Sequence, residues 1–248
     1  MADARVTVAI PAYNHGRWIE QALGSVFAQE VPVEVFVADA GSSDGTREVL
    51  ERWAPRLLGW RSHADSGQAA AINEGIAKGR APFVCWLNSD DWMLAGGLAK
   101  LVGVLERDAA APMAYGRVWN VEEGSGRRSR IFVRPFSERW MAQLNVISQP
   151  GTLVRRTAWE AAGGVDEKLH MVMDYDLWWR LYRQGGVPAF VDDFVAVNRV
   201  HPETKTGTRR REHYREAMEV VRRHHGRVPL KWYLAQPYAV WYRSLVGR

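Results

Sequence analysis

Up to residue 91 the chain alternates short apolar runs with stretches whose apolar residues recur at helical spacing, a pattern that implies strands crossed over by helices. Residues 6–10 form the first run. The loop Pro11-Ala12-Tyr13-Asn14-His15-Gly16 breaks it, and Trp18, Ile19, Ala22, Leu23, Val26 and Phe27 follow on one helical face. Residues 33–38 form a second run that ends at Asp39, and the turn-rich Ala40-Gly41-Ser42-Ser43-Asp44-Gly45 leads into a helix from Thr46 to about Leu58. A short strand near residues 60–63, a helix over about 68–78 and an apolar strand from Phe83 that ends at Asp90 complete the series. The expected fold class is α/β, with a Rossmann-like, mostly parallel sheet and helices on both faces. Such sheets bind ligands beyond the carboxyl ends of their strands. Asp39, Asp65, Asp90 and Asp91 all follow strand ends, so one crevice can collect them.

After a helix over residues 95–107 the pattern changes. Residues 113–121 and 129–133 read as a hairpin, which predicts a small antiparallel sub-sheet, and 137–144 as a short helix. Residues 151–154 read as a strand, and 157–162 as a helix stopped by Gly163-Gly164. A further helix opens with Asp174 at or near its N-cap; residues 190–191 and 195–200 supply late strands that end at His201, and the tail from Arg209 is helical and basic. No internal repeat or low-complexity linker divides the chain. It reads as one fused domain over residues 1–206, split near residue 110, with a helical tail at 207–248.

The formal net charge of +5 fits an anionic partner, and Arg127-Arg128, Arg209-Arg210-Arg211 and Arg222-Arg223 place the basic runs late in the chain. Charge alone leaves nucleotide phosphates, anionic lipid and nucleic acid open. The single cysteine, Cys85, lies inside an apolar strand and reads as a small buried hydrophobe. With no intrachain disulfide, no apolar signal segment after Met1 and no bilayer-length apolar stretch, a cytoplasmic protein is expected.

Paired carboxylates delivered by a buried strand suit a hard cation such as Mg²⁺ or Mn²⁺, which binds one or two acids together with substrate phosphates. An acidic turn is the plainer alternative for Asp90-Asp91. His201 at a strand end is either a surface residue or a ligand, and an imidazole ligand favours Mn²⁺ somewhat. Asp174 is either a helix cap or an acid with work to do, whereas Asp44 has the position to cap the helix at Thr46. No GxGxxG follows the first strand, which argues against a dehydrogenase, and the loop there lacks the glycine-rich basic character of a nucleotidyltransferase.

Ile10-Pro11-Ala12-Tyr13-Asn14, the stretch from Val37 to Thr46, Asp65-Ser66-Gly67-Gln68 with Ala71-Ile72-Asn73-Glu74-Gly75, Trp86-Leu87-Asn88-Ser89-Asp90-Asp91, and Met173-Asp174-Tyr175-Asp176-Leu177-Trp178 occur in this order. Together they resemble the motifs of family-2 glycosyltransferases of the GT-A fold, over residues 6–206. The resemblance implies transfer of a sugar from a nucleotide diphosphate donor, UDP-sugar favoured, to an acceptor hydroxyl with inversion. Residues 1–110 would then hold the donor and 111–206 face a saccharide or lipid-linked acceptor, in polysaccharide or glycolipid assembly, with no nucleic acid as partner. By position, Pro11, Ala12 and Tyr13 border the base and Asp39 contacts base or ribose. Asp65, Gln68, Asn88, Ser89 and Asp90 contact the remainder of the donor. Asp90, Asp91 and His201 hold Mn²⁺ or Mg²⁺, and Asp174 is the general base.

Lys205, Arg199 and the arginines at 209–211 are cationic candidates for the diphosphate. Met173 stands where the family often has Glu, which leaves Asp176 in reserve as a base, and Asn88 stands where the metal motif often begins with Asp. Both departures permit a catalytically silent nucleotide-sugar binder or a scaffold of a glycan assembly complex. Of the 12 tryptophans, Trp92, Trp119, Trp140 and Trp178 fall near the expected acceptor side, although core packing explains most tryptophans. The aromatic, basic segment from Leu230 to Arg243 suits peripheral contact with the inner face of a membrane, packing on the catalytic domain, or a homodimer contact.

Overall fold

The computed structural model describes residues 3–242. Strand β1 (Val6–Ala12) is buried along its whole length because β2 (Val33–Asp39) and β4 (Phe83–Trp86) flank it in parallel. Helix α1 (Ile19–Phe27) crosses between β1 and β2, and α2 (Thr46–Trp53) leads towards β3 (Gly59–Ser62). The helix expected to reach Leu58 ends at Trp53 and tightens into a 3₁₀ turn, Ala54–Arg56. Pro55 explains the break, since its nitrogen has no hydrogen to donate to the preceding helical turn. Helix α3 (Gln68–Lys78) matches its expected bounds. Strand β4 stops at Trp86 instead of running to Asp90, because Asn88 and Asp91 close a turn in which the Asp91 amide donates to the Asn88 carbonyl at 3.0 Å.

The second half continues through β5 (Trp92–Met93), α4 (Gly97–Arg107), the hairpin β6 (Met113–Glu122) and β7 (Arg128–Arg130), and the short α5 (Glu138–Met141). After a 3₁₀ turn at Gln149–Gly151 come β8 (Thr152–Arg155), α6 (Arg156–Ala162) and α7 (Met173–Gly185). The two late strands expected at 190–191 and 195–200 form one bent strand, β9 (Ala189–Val200). Its register against β6 shifts around Arg117, which absorbs the exposed Asp192 and Asp193 that had read as a break. The sheet order is β3-β2-β1-β4-β8-β6-β9-β5, with β7 on β6. It is parallel from β3 to β4 and mixed beyond, where β8 runs antiparallel to both β4 and β6.

Strand alternation divides the core between two faces. Val6, Val8 and Ile10 pack with Leu23, Leu101 and Leu105 from α1 and α4, whereas Ala9 joins Ile72 of α3 and the aromatic residues of α7. Trp178 belongs to this second layer: it is fully buried and stacks on Trp86 at 5.6 Å. It packs the core and does not face an acceptor. Helix α4 sits directly on β9. A Cβ at Gly97 would meet the Val195 carbonyl oxygen at 2.4 Å, a backbone atom that cannot rotate away. Gly97→Ala is therefore expected to destabilise the fold by about 1–2 kcal/mol despite the better helix propensity of alanine. Urea unfolding measures this, and an unchanged or raised midpoint would refute the close approach.

The tail folds onto the same body. Helix α8 (Lys205–Thr208) precedes α9 (Arg210–His225) and α10 (Leu230–Gln236), followed by a last helical segment, Pro237–Tyr242. Ala217, Val220, Val221 and Trp232 join the core layer of α7, and the Tyr214 hydroxyl donates to the Trp232 carbonyl. The expected tail extends further, but residues 243–248 lie outside the described ones, as do Met1 and Ala2. Among the described residues no helix is long and apolar enough to cross a membrane.

Candidate functional site

A cleft of about 1190 Å³ opens beyond the carboxyl ends of β1 and β4. Pro11, Ala12 and Tyr13 line it from the end of β1, Asp65 and Gln68 from the entry to α3, and Asn88 to Asp91 from the turn after β4. Asp174 at the start of α7, together with His201 and Lys205 after β9, closes the opposite side. Tyr13 is 60% exposed, with its ring at the rim. The next residue, Asn14, takes a positive φ of 54°, a conformation asparagine tolerates better than most, and its Oδ1 accepts the Ser43 amide at 3.0 Å. The loop after β1 is thereby tied to the loop after β2.

Asp39 does not line the cleft, although its neighbours Ala38 and Ala40 do. Its fully buried carboxylate closes its own turn. Oδ2 accepts the Gly41 and Ser42 amides at 3.2 and 3.0 Å and the Ser62 hydroxyl at 2.6 Å, and Oδ1 accepts the Ser42 hydroxyl. These bonds close the turn between β2 and α2. Asp65 is held similarly, by Arg61 Nη2 at 2.8 Å and the Gly67 amide at 2.9 Å, yet it stays in the cleft wall. Asp44, expected to cap α2, sits one residue before the cap position, which is Gly45; from there its Oδ1 accepts both the amide and the hydroxyl of Thr46.

The two adjacent acids after β4 point to different partners. Asp90 Oδ2 lies 3.0 Å from His201 Nε2. Burial opposes charge on Asp90, but the His201 hydrogen bond and nearby His15 outweigh it and hold the carboxyl below its usual range. Asp91 turns inward and is 2% exposed, accepting the Arg199 amide at 2.9 Å and Asn88 Nδ2 at 3.2 Å. Burial, reinforced by Asp90, pushes its pKa well above the ordinary value. Asn88 Oδ1 in turn accepts from Gln68 at 2.8 Å, and Gln68 Oε1 accepts Lys205 Nζ at 2.8 Å. One chain of hydrogen bonds thus joins α8, α3 and the acidic turn.

Asp174 occupies the second position of α7 and is not its cap; the cap residue is Val172. Burial raises the Asp174 carboxyl to about 6, against the opposing pull of the Tyr175 and Asp174 amides and of Asn145, whose Nδ2 donates at 3.2 Å. Asp176, the reserve base, faces away from the cleft. It is 1% exposed and binds Arg180 at 2.7 Å, His224 at 2.8 Å and Arg223 at 3.2 Å, which anchors α9 to α7. Of the cationic candidates, Lys205 reaches the cleft. Arg199 instead bonds the Asp90 carbonyl and lies over the Trp92 ring at 4.7 Å, and Arg209 pairs with Glu212 at 3.6 Å.

The profile of Glycosyl transferase family 2 matches residues 7–163, more than half of the chain. The chain belongs to this family. This family 2 glycosyltransferase is 24% identical over 214 residues to an uncharacterised glycosyltransferase of Rickettsia typhi, covering 82% of this chain and 66% of that protein. It is 24% identical over 237 residues to a chondroitin synthase of Escherichia coli, covering 94% of this chain and 34% of that protein. The chain therefore spans between one third and two thirds of the length of these relatives. Among solved structures, TarS residues 1–349 of S. aureus in complex with UDP-GlcNAc superposes with a TM-score of 0.71 at 18% identity, covering 89% of this chain and 66% of that one. A mannosyltransferase of Pyrobaculum calidifontis in complex with GDP-Man and Mn²⁺ gives 0.68 at 20%, covering 99% and 74%. The likeness identifies the fold as GT-A.

Within the family 2 fold, several cleft residues escaped sequence reasoning. His15 lies half-buried with Nδ1 2.7 Å from the Ser89 hydroxyl; burial lowers its pKa, and Asp90 opposes the shift. Its place in the loop after the first strand was a usable signal. Asn145 and Gln149 sit in an irregular stretch where no periodicity marks them. Among the described residues no three His, Cys, Asp or Glu side chains gather closely enough to hold a metal ion by themselves. The Asp90–His201 pair nevertheless fits a cation completed by substrate oxygens. His201 Nε2 and the Asp90 carboxylate face each other at 3.0 Å, and Nδ1, buried without a hydrogen-bond partner, leaves the ring's tautomer unfixed, so Nε2 can present its lone pair.

Proposed function

We propose that this glycosyltransferase moves a sugar from a nucleoside diphosphate sugar, UDP-linked, to a hydroxyl of a saccharide or lipid-linked saccharide, inverting the anomeric carbon. One observation carries the reading: Asp174, a carboxyl raised to about 6, shares a single cleft with the Asp90–His201 pair and with the Pro11-Ala12-Tyr13 rim. The rim suits a planar base, with the Tyr13 ring available to stack on it. Asp174 suits a general base that takes the acceptor proton as its oxygen attacks opposite the departing nucleotide. Direct displacement of this kind needs no enzyme nucleophile and inverts the centre. Lys205 offers its ammonium to the diphosphate oxygens. Mn²⁺ or Mg²⁺ held by Asp90 and His201 would supply Lewis-acid charge for the leaving diphosphate.

The structural neighbours bound to UDP-GlcNAc and to UDP support the donor class, and the chondroitin and hyaluronan synthases among the relatives support polysaccharide assembly. A thermal-shift panel of UDP-, GDP- and dTDP-sugars with and without Mn²⁺ tests it. The expected result is stabilisation of about 2–4 kcal/mol by UDP-sugars at saturating concentration, present only with the metal, followed by slow donor hydrolysis. Equal stabilisation without metal, or binding without any turnover, would overturn the reading.

A further inference from the structure

We propose that α10 and the basic side chains beside it form a docking surface for an anionic lipid bilayer. Leu230, Tyr233 and Leu234 occupy positions i, i+3 and i+4 of α10 and are 69, 46 and 71% exposed, so they share one outward face. Tyr238 in the next segment is 62% exposed. Trp232 lies on the opposite side, buried, with its Nε1–H donated to the Ala142 carbonyl at 2.8 Å. The outward face is therefore not a core face turned out by poor packing, since the helix already has its core contact. Large apolar side chains grouped on a surface mark a place where something binds.

The charges nearby select the occupant. Leu230 lines a surface groove of about 640 Å³ together with Arg139 and Arg227, and Lys231 follows on α10. Among the described residues none of these three cations makes a salt bridge, whereas the one acid of the groove, Glu138, is held by Arg183 at 2.7 Å and His225 at 3.3 Å. An apolar stripe rimmed by free cations matches lipid headgroups, with Tyr and Leu entering the interface and Arg and Lys meeting phosphates. A second copy of the chain fits worse, because a two-fold contact at this face would bring the same unpaired cations together.

The inner face of α10 adds a consequence, which rests on the transfer reading. Trp232 lines the same cleft as Asp174, as do His213 and Ala217 of α9. A bilayer under α10 would lie beside the wall of the acceptor end, so an acceptor held in the lipid would reach the cleft without leaving it.

Flotation with vesicles of phosphatidylcholine alone and of phosphatidylcholine with phosphatidylglycerol tests the docking. Wild type is expected to float with the anionic vesicles only, and less so at high salt. Arg227→Gln/Lys231→Gln and Leu230→Gln/Leu234→Gln should each weaken binding about tenfold or more, with Tm and the donor-induced thermal shift unchanged. Variants that float like wild type, or wild type indifferent to anionic lipid, would overturn the proposal. So would light scattering that shows a dimer dissolved by Leu230→Gln/Leu234→Gln, which would make the face a self-interface. The donor shift is read separately, so failure of docking and failure of the transfer reading are distinguishable.

Discussion

Asp174→Asn is expected to abolish transfer and at the same time to stabilise the protein at neutral pH. As general base Asp174 is worth about 10²–10⁴ in rate, and asparagine cannot take the acceptor proton. The stability change follows from linkage. Burial raises the folded-state pKa from 3.8 to about 6, so between those values the folded chain holds a proton that the unfolded chain has released. The contribution of this group to stability is present in full below the unfolded value and is lost as pH rises through about 6. Above that, wild type carries an ionised group that its surroundings disfavour, by about 1–3 kcal/mol at one pKa unit per 1.4 kcal/mol and partial exposure. The asparagine removes that cost while its Oδ1 still accepts from Asn145. Tm at neutral pH should rise by roughly 2–8 °C. In wild type, kcat/KM for the acceptor should fall with an acid limb near pH 6, as the base takes up its proton. A variant that retains more than a small fraction of activity, or that melts earlier than wild type, would remove Asp174 from the role.

That carboxylate was legible in the sequence, but its surroundings were not. Buried parallel strands leave continuous apolar runs, which is why β1 and β2 can be read close to their bounds. Periodicity divides β9 in two because the exposed Asp192 and Asp193 sit on a register shift, and a bulge mimics a break in a local pattern. Strand β5 has two residues and exists through its pairing with β9, a contact between positions about one hundred residues apart that no local pattern encodes. The directions of neighbouring side chains were equally hidden. Asp90 and Asp91 read as a matched pair, yet the turn after Trp86 sends one towards His201 and the other towards the Arg199 amide. The resemblance assigns Asp39 a ligand contact, and the serines that hold its carboxylate come from separate segments, Ser42 from the turn after β2 and Ser62 from the end of β3. Sequence order places Asp65, Asp90, Asp91 and Asp174 where one cleft collects them; which of them remain free is decided by partners that only the fold brings close.

This divergence of Asp90 and Asp91 leads to a second large effect. Asp90→Asn and His201→Ala should each weaken Mn²⁺ binding in the presence of UDP about 100-fold or more, since each removes one of two protein donors from a site too sparse to compensate. Asp91→Asn should change it less than about fivefold, because an amide oxygen still accepts the Arg199 N–H and only the longer bond from Asn88 Nδ2 is lost. Isothermal titration of Mn²⁺ into the UDP-saturated protein separates the three variants without any turnover. Losses in the reverse order would mean that Asp91 rotates out to the cation and that its bond to β9 belongs only to the free protein. Equal losses would mean that the turn acts as a unit, with its network through Asn88 and Gln68 to Lys205 carrying as much of the site as either carboxylate. The ordering expected here follows from geometry alone: of the two acids, Asp90 shares its oxygen with an imidazole whose other nitrogen is unpartnered, and Asp91 is already fastened to the sheet.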